Sequence, residues 1–352
     1  MPSHTDPGEF MYVLGVGLGV LAVVLIGLSV ARKVAGDSTN FLVAGRTLAL
    51  PLSAAGLMGQ AVDTNATLGN TDLSAAGGFW AGASLPIGLA ICLALTGAFF
   101  AKRMNSMRLL TIGDFYRRRY GRTVELVASI MMIFSFCILL AGNLVAGGFL
   151  FERFMGTSYT LGVLLIVGVV LLYTATGGMY SDAYTAFAQM VITLVATAAL
   201  LIWVGVRFGT PIPAGMGPFD FGQLTHSDQG AMFNWATLLA LGIGDIVAID
   251  FMQRIFSARS PLTAQRACYS AACLVLIVGI PYSLVALTSR VVLGNDAGPG
   301  PVLFTLLSQY APAGLTILVL SGIIAASCST ANGVILGTSA VAAHNVLGVR
   351  AG

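Results

Sequence analysis

Three aspartates lie within long apolar stretches of this sequence, where a carboxylate needs a specific reason to be present. Asp63 falls near the middle of one stretch, and Asp245 and Asp250 fall in another. A charged side chain at the centre of a bilayer costs roughly 2.5–3.5 kcal/mol on insertion scales. Neither stretch contains a lysine or arginine before Arg254. The carboxylates therefore require a mobile cation, a water-filled cavity, a proton, or bonds to the neighbouring backbone.

A second unusual feature is the polar segment SGIIAASCSTANG at residues 321–333. Ser329 and Thr330 are adjacent hydroxyls one helical turn after Ala326, so they offer two side-chain oxygens and one carbonyl to a single point. Hard cations such as Na⁺ take oxygen ligands, and unwound backbone near residues 59–62 would supply carbonyls to the same ion. The hydroxyls could equally join neighbouring helices or bond to the preceding turn.

The composition shows which elements must position these groups. Of 352 residues, 57% are hydrophobic and 9% are charged, against about 25% charged in a typical soluble domain. This indicates an all-α, multi-pass membrane protein whose apolar surface faces lipid. Windows near 20 residues give nine candidate transmembrane helices: 10–31, 48–70, 77–101, 124–150, 158–177, 182–206, 234–256, 263–293 and 314–345.

The second and seventh candidate spans contain the misplaced Gly, Asp and Asn residues, and both are predicted to be broken helices. They lie five spans apart, which fits two inverted five-helix repeats preceded by one extra helix. We therefore predict a single membrane domain over 1–352, with the extra helix at 10–31, the first repeat at 48–206 and a partial second repeat at 234–352.

The basic residues predict the orientation. With the N-terminus outside, all but three of the 17 lysines and arginines fall on the cytoplasmic side, Arg350 among them. The exceptions are Arg153, Arg207 and Arg290. We expect a cell membrane protein with a cytoplasmic C-terminus, in which the run RRRYGR sets topology and contacts lipid headgroups rather than nucleic acid.

The sequence lacks the motifs that several classes of enzyme and ATP-driven pump require. It contains no G-x-S-x-G, H-E-x-x-H or phosphate-binding loop, and its histidines are His4, His226 and His344. We therefore expect neither an enzyme nor an ATP-driven pump. The partners indicated are a small solute and the lipid bilayer, and the sequence indicates no protein partner.

Four segments resemble motifs of the sodium:solute symporter family and occur in that family's order. FLVAGRTL at 41–48 is similar to the family's F-x-x-A-G-R/K-S/T-L, and TIGDFYRRRYG at 111–121 is similar to T-[IL]-P-E-F-…-R-[FY]-[GN]. TGGMYSDAYTAFAQ at 176–189 resembles G-G-[LM]-x-A-V-x-x-T-D-x-x-Q. DFMQRIFSARSP at 250–261 resembles x-x-x-Q-R-x-x-A-[AR]-[KR]-[ST].

The resemblance implies which residues would hold the coupling ion, Na⁺. Matched position by position, the family's sodium site falls on Gly59, Val62, Ala326, Ser329 and Thr330. The Asp of the T-D step is Ala186 here, and Asp182, one turn earlier, is a candidate substitute. The candidates for ion or substrate coupling are Asp63, Asn65, Asp182, Gln189, Asp245 and Asp250. We expect Asp63 to lie near the oxygens of Ser329 and Thr330.

The resemblance also implies a LeuT-like fold with ten core helices, of which this chain supplies a first repeat of five and three helices of the second. We therefore expect a sequence truncated after its ninth span. The function implied is Na⁺-coupled symport of an amino acid, monocarboxylate or similar solute by alternating access. A proton-coupled symporter and a membrane sensor domain fused to a histidine kinase stay open as alternatives.

Overall fold

The computed structural model describes residues 7–34, 36–294 and 300–349. Within these residues the protein is helical, and its one extended pairing is an isolated bridge between Leu48 and Ala258. Arg350, which we predicted on the cytoplasmic side, lies outside the described residues.

The helices are joined by short connections. The first seven are α1 Pro7–Ser29, α2 Ser38–Val43, α3 Leu50–Ala61, α4 Asn70–Gly77, α5 Phe79–Leu95, α6 Ala101–Ser106 and α7 Ile112–Tyr120. The remaining eight are α8 Arg122–Met155, α9 Tyr159–Phe208, α10 Gly222–Thr225, α11 Ala231–Gly244, α12 Ile249–Ser257, α13 Pro261–Leu293, α14 Val302–Tyr310 and α15 Ala313–Val341. Short 3₁₀ or π turns extend several of them, including a π turn at Ala342–Val346 that continues α15.

The predicted break in the second span is confirmed. Helix α3 ends at Ala61, and Val62 has a non-helical backbone with φ −104° and ψ 84°. The helix resumes with a π turn at Asn65–Gly69 and continues into α4. Asp63 stabilises the restart, because its Oδ1 accepts a hydrogen bond from the backbone N–H of Ala66 at 2.8 Å. A carboxylate at this position satisfies one of the free N–H groups at a helix start.

The seventh span is also broken, as predicted. Helix α11 ends at Gly244, a 3₁₀ turn covers Asp245–Val247, and α12 leaves at a bend of 46°. Ala248, between the turn and α12, has an extended ψ of 140°. Both breaks therefore occur where the sequence places Gly and Asp within an apolar run.

The longest helix, α9, is interrupted at Gly178. A straight helix of 50 residues would extend about 75 Å, more than twice the hydrocarbon thickness of a bilayer. Gly178 has φ 48° and ψ −136°, and a Cβ at this position would lie 2.4 Å from the carbonyl oxygen of Phe41. Only glycine fits both constraints. The interruption falls between the predicted spans 158–177 and 182–206.

The predicted count of nine spans is not confirmed. Among the described residues, six helices are long and apolar enough to cross a membrane, or seven when the bent pair α11 and α12 counts as one span. The difference has two sources. Neither half of the broken span at 50–77 is long enough alone, and α9 counts once despite its interruption at Gly178. The chain is nevertheless a multi-pass, all-α membrane protein.

Helix α15 lies at the centre of the bundle. It packs against α9, α8, α3 and α1, while α13 packs against α5, α3 and α4. Helix α8 instead exposes apolar side chains, and Ile130, Met131 and Phe134 are largely exposed. Exposed apolar side chains on one helix and buried polar side chains on another are what lipid outside and a polar interior require. The packing therefore places the polar segment 321–333 inside the protein.

Candidate functional site

The broken end of α3 meets the polar segment of α15. The Thr330 hydroxyl donates a hydrogen bond to the carbonyl oxygen of Gly59 at 3.0 Å. The Gln60 side chain donates from Nε2 to the carbonyl oxygen of Ser329 at 2.8 Å. These bonds join residues about 270 positions apart in the chain. They hold the polar segment of α15 next to the end of α3, where the helix breaks at Val62.

Two glycines allow the helices to come this close. A Cβ on Gly59 would lie 2.3 Å from the Ser329 hydroxyl oxygen, and a Cβ on Gly333 would lie 2.0 Å from Oε1 of Gln60. Neither separation is possible between real atoms. Small residues at helix contacts in membrane proteins permit such backbone approach, and here they bring main-chain and side-chain oxygens to one place.

The oxygens at this contact include one that lacks a partner. Ser329 is 1% exposed, and its hydroxyl oxygen has no hydrogen-bond partner among the described residues. A buried polar atom without a partner costs roughly 1–3 kcal/mol. The last carbonyls of α3 add further acceptors, because the final turn of a helix lacks intrahelical donors. Ala326, one turn before Thr330 on α15, is buried on the same face of that helix.

This set suits a hard monovalent cation. Hydroxyl and carbonyl oxygens are the ligands that hard cations take, and the Thr330 oxygen keeps a lone pair while its hydrogen points to Gly59. Sequence reasoning predicted that residues 59–62 converge with Ala326, Ser329 and Thr330, and the contacts in the structure join Gly59 and Gln60 to Ser329 and Thr330. The unpartnered Ser329 hydroxyl is the observation that fits an ion at this point.

Asp182 lies in a buried ion pair rather than free. Its Oδ1 accepts from Nη2 of Arg254 at 2.7 Å and from Nδ2 of Asn332 at 3.0 Å. Asn332 in turn accepts from the Thr174 hydroxyl, and Arg254 also donates to the carbonyl of Asp250 at 3.0 Å. Sequence reasoning did not assign Arg254 or Asn332 to the site. Two features of the sequence could have indicated them: Arg254 lies within a predicted span, and Asn332 lies in the polar segment 321–333.

Ala186, not Asp182, borders the oxygen cluster. The Cβ of Ala186 lies 3.8 Å from the position that a Cβ on Gly59 would occupy. Asp182 is one turn earlier on α9, and its other carboxylate oxygen, Oδ2, has no hydrogen-bond partner among the described residues. The position that carries an aspartate in the resembled motif is therefore apolar here, and the nearest carboxylate on the same helix is bound to Arg254.

Asp63 and Asn65 interact with each other at the restart of the second span. Nδ2 of Asn65 donates to Oδ2 of Asp63 at 2.9 Å, while Oδ1 of Asp63 accepts from Ala66. These bonds direct the carboxylate toward its own half-helix, and they do not join it to Ser329 or Thr330. Asp245 lies in the turn that breaks the seventh span, and it forms no ion pair with a lysine or arginine among the described residues. The structure therefore places one acidic group at the break of each of the two broken helices.

Asp250 and Gln189, the two remaining candidates, have different surroundings. Oδ1 of Asp250 accepts from the backbone N–H of Phe251 at 2.7 Å, within the first turn of α12. Gln189 is 2% exposed and lines a small cavity with Val16 of α1 and Cys328 of α15. Neither amide atom of Gln189 has a hydrogen-bond partner among the described residues.

The fold and this geometry define a class of protein. Two broken helices in one bundle, with oxygens and carboxylates at the breaks, are typical of secondary transporters. The family model of the sodium:solute symporter family matches residues 41–347, and the chain belongs to this family. Its members are transporters and not enzymes.

Relatives and a solved structure agree with this assignment. The chain is 26% identical over 284 residues to the human High affinity choline transporter 1, covering 75% of this chain and 48% of that protein. It is 27% identical over 215 residues to the Osmoregulated proline transporter OpuE of Bacillus subtilis (strain 168), covering 57% of this chain and 42% of that protein. The chain thus spans about half the length of the curated relatives it matches.

A match to a solved structure shows the fold of this chain. A Na⁺-coupled sialic acid symporter, solved in a substrate-bound outward-open state, matches with a TM-score of 0.81 at 15% identity. The match covers 96% of this chain and 74% of that one. The predicted LeuT-like fold is confirmed.

Proposed function

We propose that this protein is a sodium-coupled symporter that moves a small organic solute by alternating access. The observation that carries the proposal is the buried, unpartnered hydroxyl of Ser329 beside the broken end of α3. Family membership supports sodium as the coupling ion. A Na⁺ bound at this point would satisfy the Ser329 oxygen and would hold the break in α3 against α15.

The proposed sodium ligands are the carbonyl oxygens of Gly59, Val62 and Ala326 and the hydroxyl oxygens of Ser329 and Thr330. The hydrogen bond from Thr330 to Gly59 supports this set, because it already places two of the five oxygens 3.0 Å apart. The ligands come from two different helices. Binding of the ion would therefore favour the conformation in which α3 and α15 are close, and its release would favour their separation.

The proposed solute carries a positively charged nitrogen. Asp63 and Asp245 lie at the two breaks, and no lysine or arginine in the described residues forms an ion pair with either. A carboxylate in a membrane interior that lacks a basic partner attracts a cationic or zwitterionic group. The names of two relatives specify choline and proline, and both molecules contain such a nitrogen.

The central test measures Na⁺ binding directly, so it does not depend on a complete transport cycle. The protein is purified in neutral detergent, and its thermal stability is followed over a Na⁺ titration with choline-free, K⁺-balanced buffer. We expect stabilisation by Na⁺ that is at least about tenfold weaker in apparent affinity for Ser329→Ala with Thr330→Ala, since two ligand oxygens are lost.

The matched control is Ser339→Ala, which removes a hydroxyl from the same helix about three turns beyond the cluster. That hydroxyl donates to the carbonyl of Leu336 in its own helix. An unchanged Na⁺ titration in the double variant would remove the proposed sodium site and return Ser329 and Thr330 to a role in helix packing. Uptake of labelled choline, proline and monocarboxylates into proteoliposomes then identifies the solute.

Proton coupling is a second candidate, and the carboxylates of Asp63 and Asp245 at the two breaks favour it, because neither forms an ion pair among the described residues. A carboxylate without a basic partner in a site of low polarity takes up a proton readily. Uptake driven by an inward pH gradient in the absence of Na⁺ would support this candidate. Uptake that needs Na⁺ at every pH would exclude it.

We also propose that the protein resides in the cell membrane with its N-terminus outside. The distribution of lysine and arginine supports this orientation.

A further inference from the structure

Four arginines line an open cavity at the end of the bundle that carries most of the basic residues. The cavity has a volume of about 640 Å³ and lies between the segment before α3, the start of α7 and the end of α15. Its arginines come from three separate parts of the chain, namely Arg46, Arg108, Arg117 and Arg118. None of the proposed transport residues lines it.

Asp114, the acidic residue that lines this cavity, already has hydrogen-bond partners on both carboxylate oxygens. Oδ1 of Asp114 contacts Nε2 of His344 at 2.9 Å and accepts from Nδ2 of Asn345 at 3.3 Å. Its Oδ2 accepts from the backbone N–H groups of Leu110 and Thr111 at 3.1 and 3.2 Å. Asp114 therefore completes the capping box of α7 with Thr111, and it forms no ion pair with the four arginines among the described residues.

The arginines are short of negative partners. Arg117 is 3.8 Å from Glu125, but that carboxylate is held more closely by Arg122 at 2.8 Å. The pKa of Arg46 is lowered from its ordinary value, first by burial and then by the charge of Arg108. Like charges in this cavity thus repel each other, and a bound anion would relieve the repulsion.

The backbone holds two of these arginines in an uncommon conformation. Arg46 has φ 59° and Arg108 has φ 53°, both in the left-handed region that costs a residue with a Cβ roughly 1–2 kcal/mol. They are linked, because Nη2 of Arg46 donates to the carbonyl of Arg108 at 2.9 Å. Nε of Arg46 is buried and has no hydrogen-bond partner among the described residues. Arg46 thus keeps a donor that no described residue uses.

We propose that this cavity binds a phosphate-bearing anion. The guanidinium fork matches the geometry of phosphate oxygens, and several forks facing one cavity bind phosphate more strongly than isolated surface charges do. Two sources supply such a group at this face: the headgroup of an anionic phospholipid, or soluble phosphate. The site is separate from the proposed sodium cluster, so it stands whether or not the protein couples to Na⁺.

The test compares three probes on the protein in neutral detergent. Short-chain phosphatidylglycerol carries an anionic phosphodiester, phosphatidylcholine of the same chain length is zwitterionic, and inorganic phosphate has no chain. Binding is measured by titration at fixed ionic strength. We expect wild-type protein to bind at least one of the two anionic probes, and Arg46→Gln with Arg108→Gln to weaken that binding by about tenfold or more.

The matched control is Arg153→Gln with Arg207→Gln. It removes the same charge from the predicted opposite face, and we expect its affinity to stay within about twofold of wild type. If the first double variant fails to fold, Arg117→Gln with Arg118→Gln replaces it, since both side chains are exposed on α7.

The outcomes separate the two sources. Binding of phosphatidylglycerol without inorganic phosphate identifies a lipid site, and equal binding of both identifies a soluble anion site. The proposal is overturned if neither anionic probe binds. It is also overturned if the control loses as much affinity as the cavity variant, because the attraction would then be a property of the total charge.

Discussion

Nη2 of Arg254 lies 2.7 Å from Oδ1 of Asp182, and both side chains are 1% exposed. This contact joins α12, the second half of a broken span, to α9. Asn332 of α15 donates to the same oxygen, so three helices meet at one carboxylate. A buried ion pair of this kind does little for stability in total, but removing one partner leaves the other charged and alone.

The first prediction follows from that asymmetry. Arg254→Gln should lower the free energy of unfolding by about 3–5 kcal/mol, because Asp182 would remain buried without a cation. Adding Asp182→Asn should restore a large part of the loss, since no uncompensated charge would remain. Reversible unfolding in mixed micelles measures both variants against wild type.

Arg119→Gln is the control for this experiment, because it removes an arginine that is exposed on α7. Its effect should stay within about 0.5 kcal/mol. Losses that simply add in the Asp182 and Arg254 double variant would contradict the ion pair as a coupled unit.

The second prediction concerns the close approach of Gly59 to Ser329. Gly59→Ala should destabilise the protein, because the new Cβ would lie 2.3 Å from the Ser329 hydroxyl oxygen. Removing that oxygen in Gly59→Ala with Ser329→Ala leaves the two Cβ atoms 3.3 Å apart, which small shifts can accommodate. The second variant should therefore regain stability while its Na⁺ affinity stays low.

Thermal unfolding with and without Na⁺ distinguishes the two effects. Gly17→Ala is the matched control, since nothing lies within 4 Å of a Cβ at that position. If Ser329→Ala fails to improve the stability of Gly59→Ala, the short distance between these two residues is not what limits substitution at Gly59.

Local features of the sequence were sufficient to predict the two breaks. Glycine and aspartate are poor choices within an apolar helix, so their clusters near Asp63 and Asp245 mark where the helix ends. The approach of Ser329 and Thr330 to the broken α3 could also be anticipated, because unpaired carbonyls and unpaired hydroxyls in a membrane need a shared partner. These inferences depend on residue type and spacing within one span.

The ion pair could not be predicted in the same way. Asp182 and Arg254 are separated by 72 positions, and which helix faces meet depends on the packing of the whole bundle. A partial signal exists in the glycines: a Cβ on Gly56 would lie 3.3 Å from Cγ of Arg254, so the arginine needs small residues along its path. The sequence alone does not show which glycines leave room for a buried side chain and which serve another role.

The third prediction separates the two roles of Asp63. Asp63→Asn keeps an oxygen that can accept from the N–H of Ala66, so stability should change by less than about 1 kcal/mol. Asp63→Ala removes the cap and should cost about 0.5–2 kcal/mol. Both variants delete the charge, and both should weaken binding of a quaternary-ammonium probe by about tenfold or more if the carboxylate faces the solute.

Na⁺ titrations of the same two variants decide where the charge acts. With the carboxylate bonded to Asn65 and Ala66, we expect a smaller change in Na⁺ affinity than in probe affinity. The reverse order would place Asp63 at the ion instead. Asp228→Asn, in the exposed connection before α11, serves as a control for the loss of one negative charge.

The fourth prediction tests the orientation. The connection at 102–122 should face the cytoplasm and the one at 208–233 should face outside, because lysine and arginine accumulate in the first. Ser106→Cys and Asp228→Cys place a thiol at an exposed position in each connection. A membrane-impermeant thiol reagent added to intact cells should label Asp228→Cys alone, and it should label both after the membrane is permeabilised.

The background needs only Cys137 and Cys273 replaced by serine, since Cys92, Cys268 and Cys328 are buried. Labelling of Ser106→Cys in intact cells, together with protection of Asp228→Cys, would invert the orientation and place the arginine cavity on the outer face.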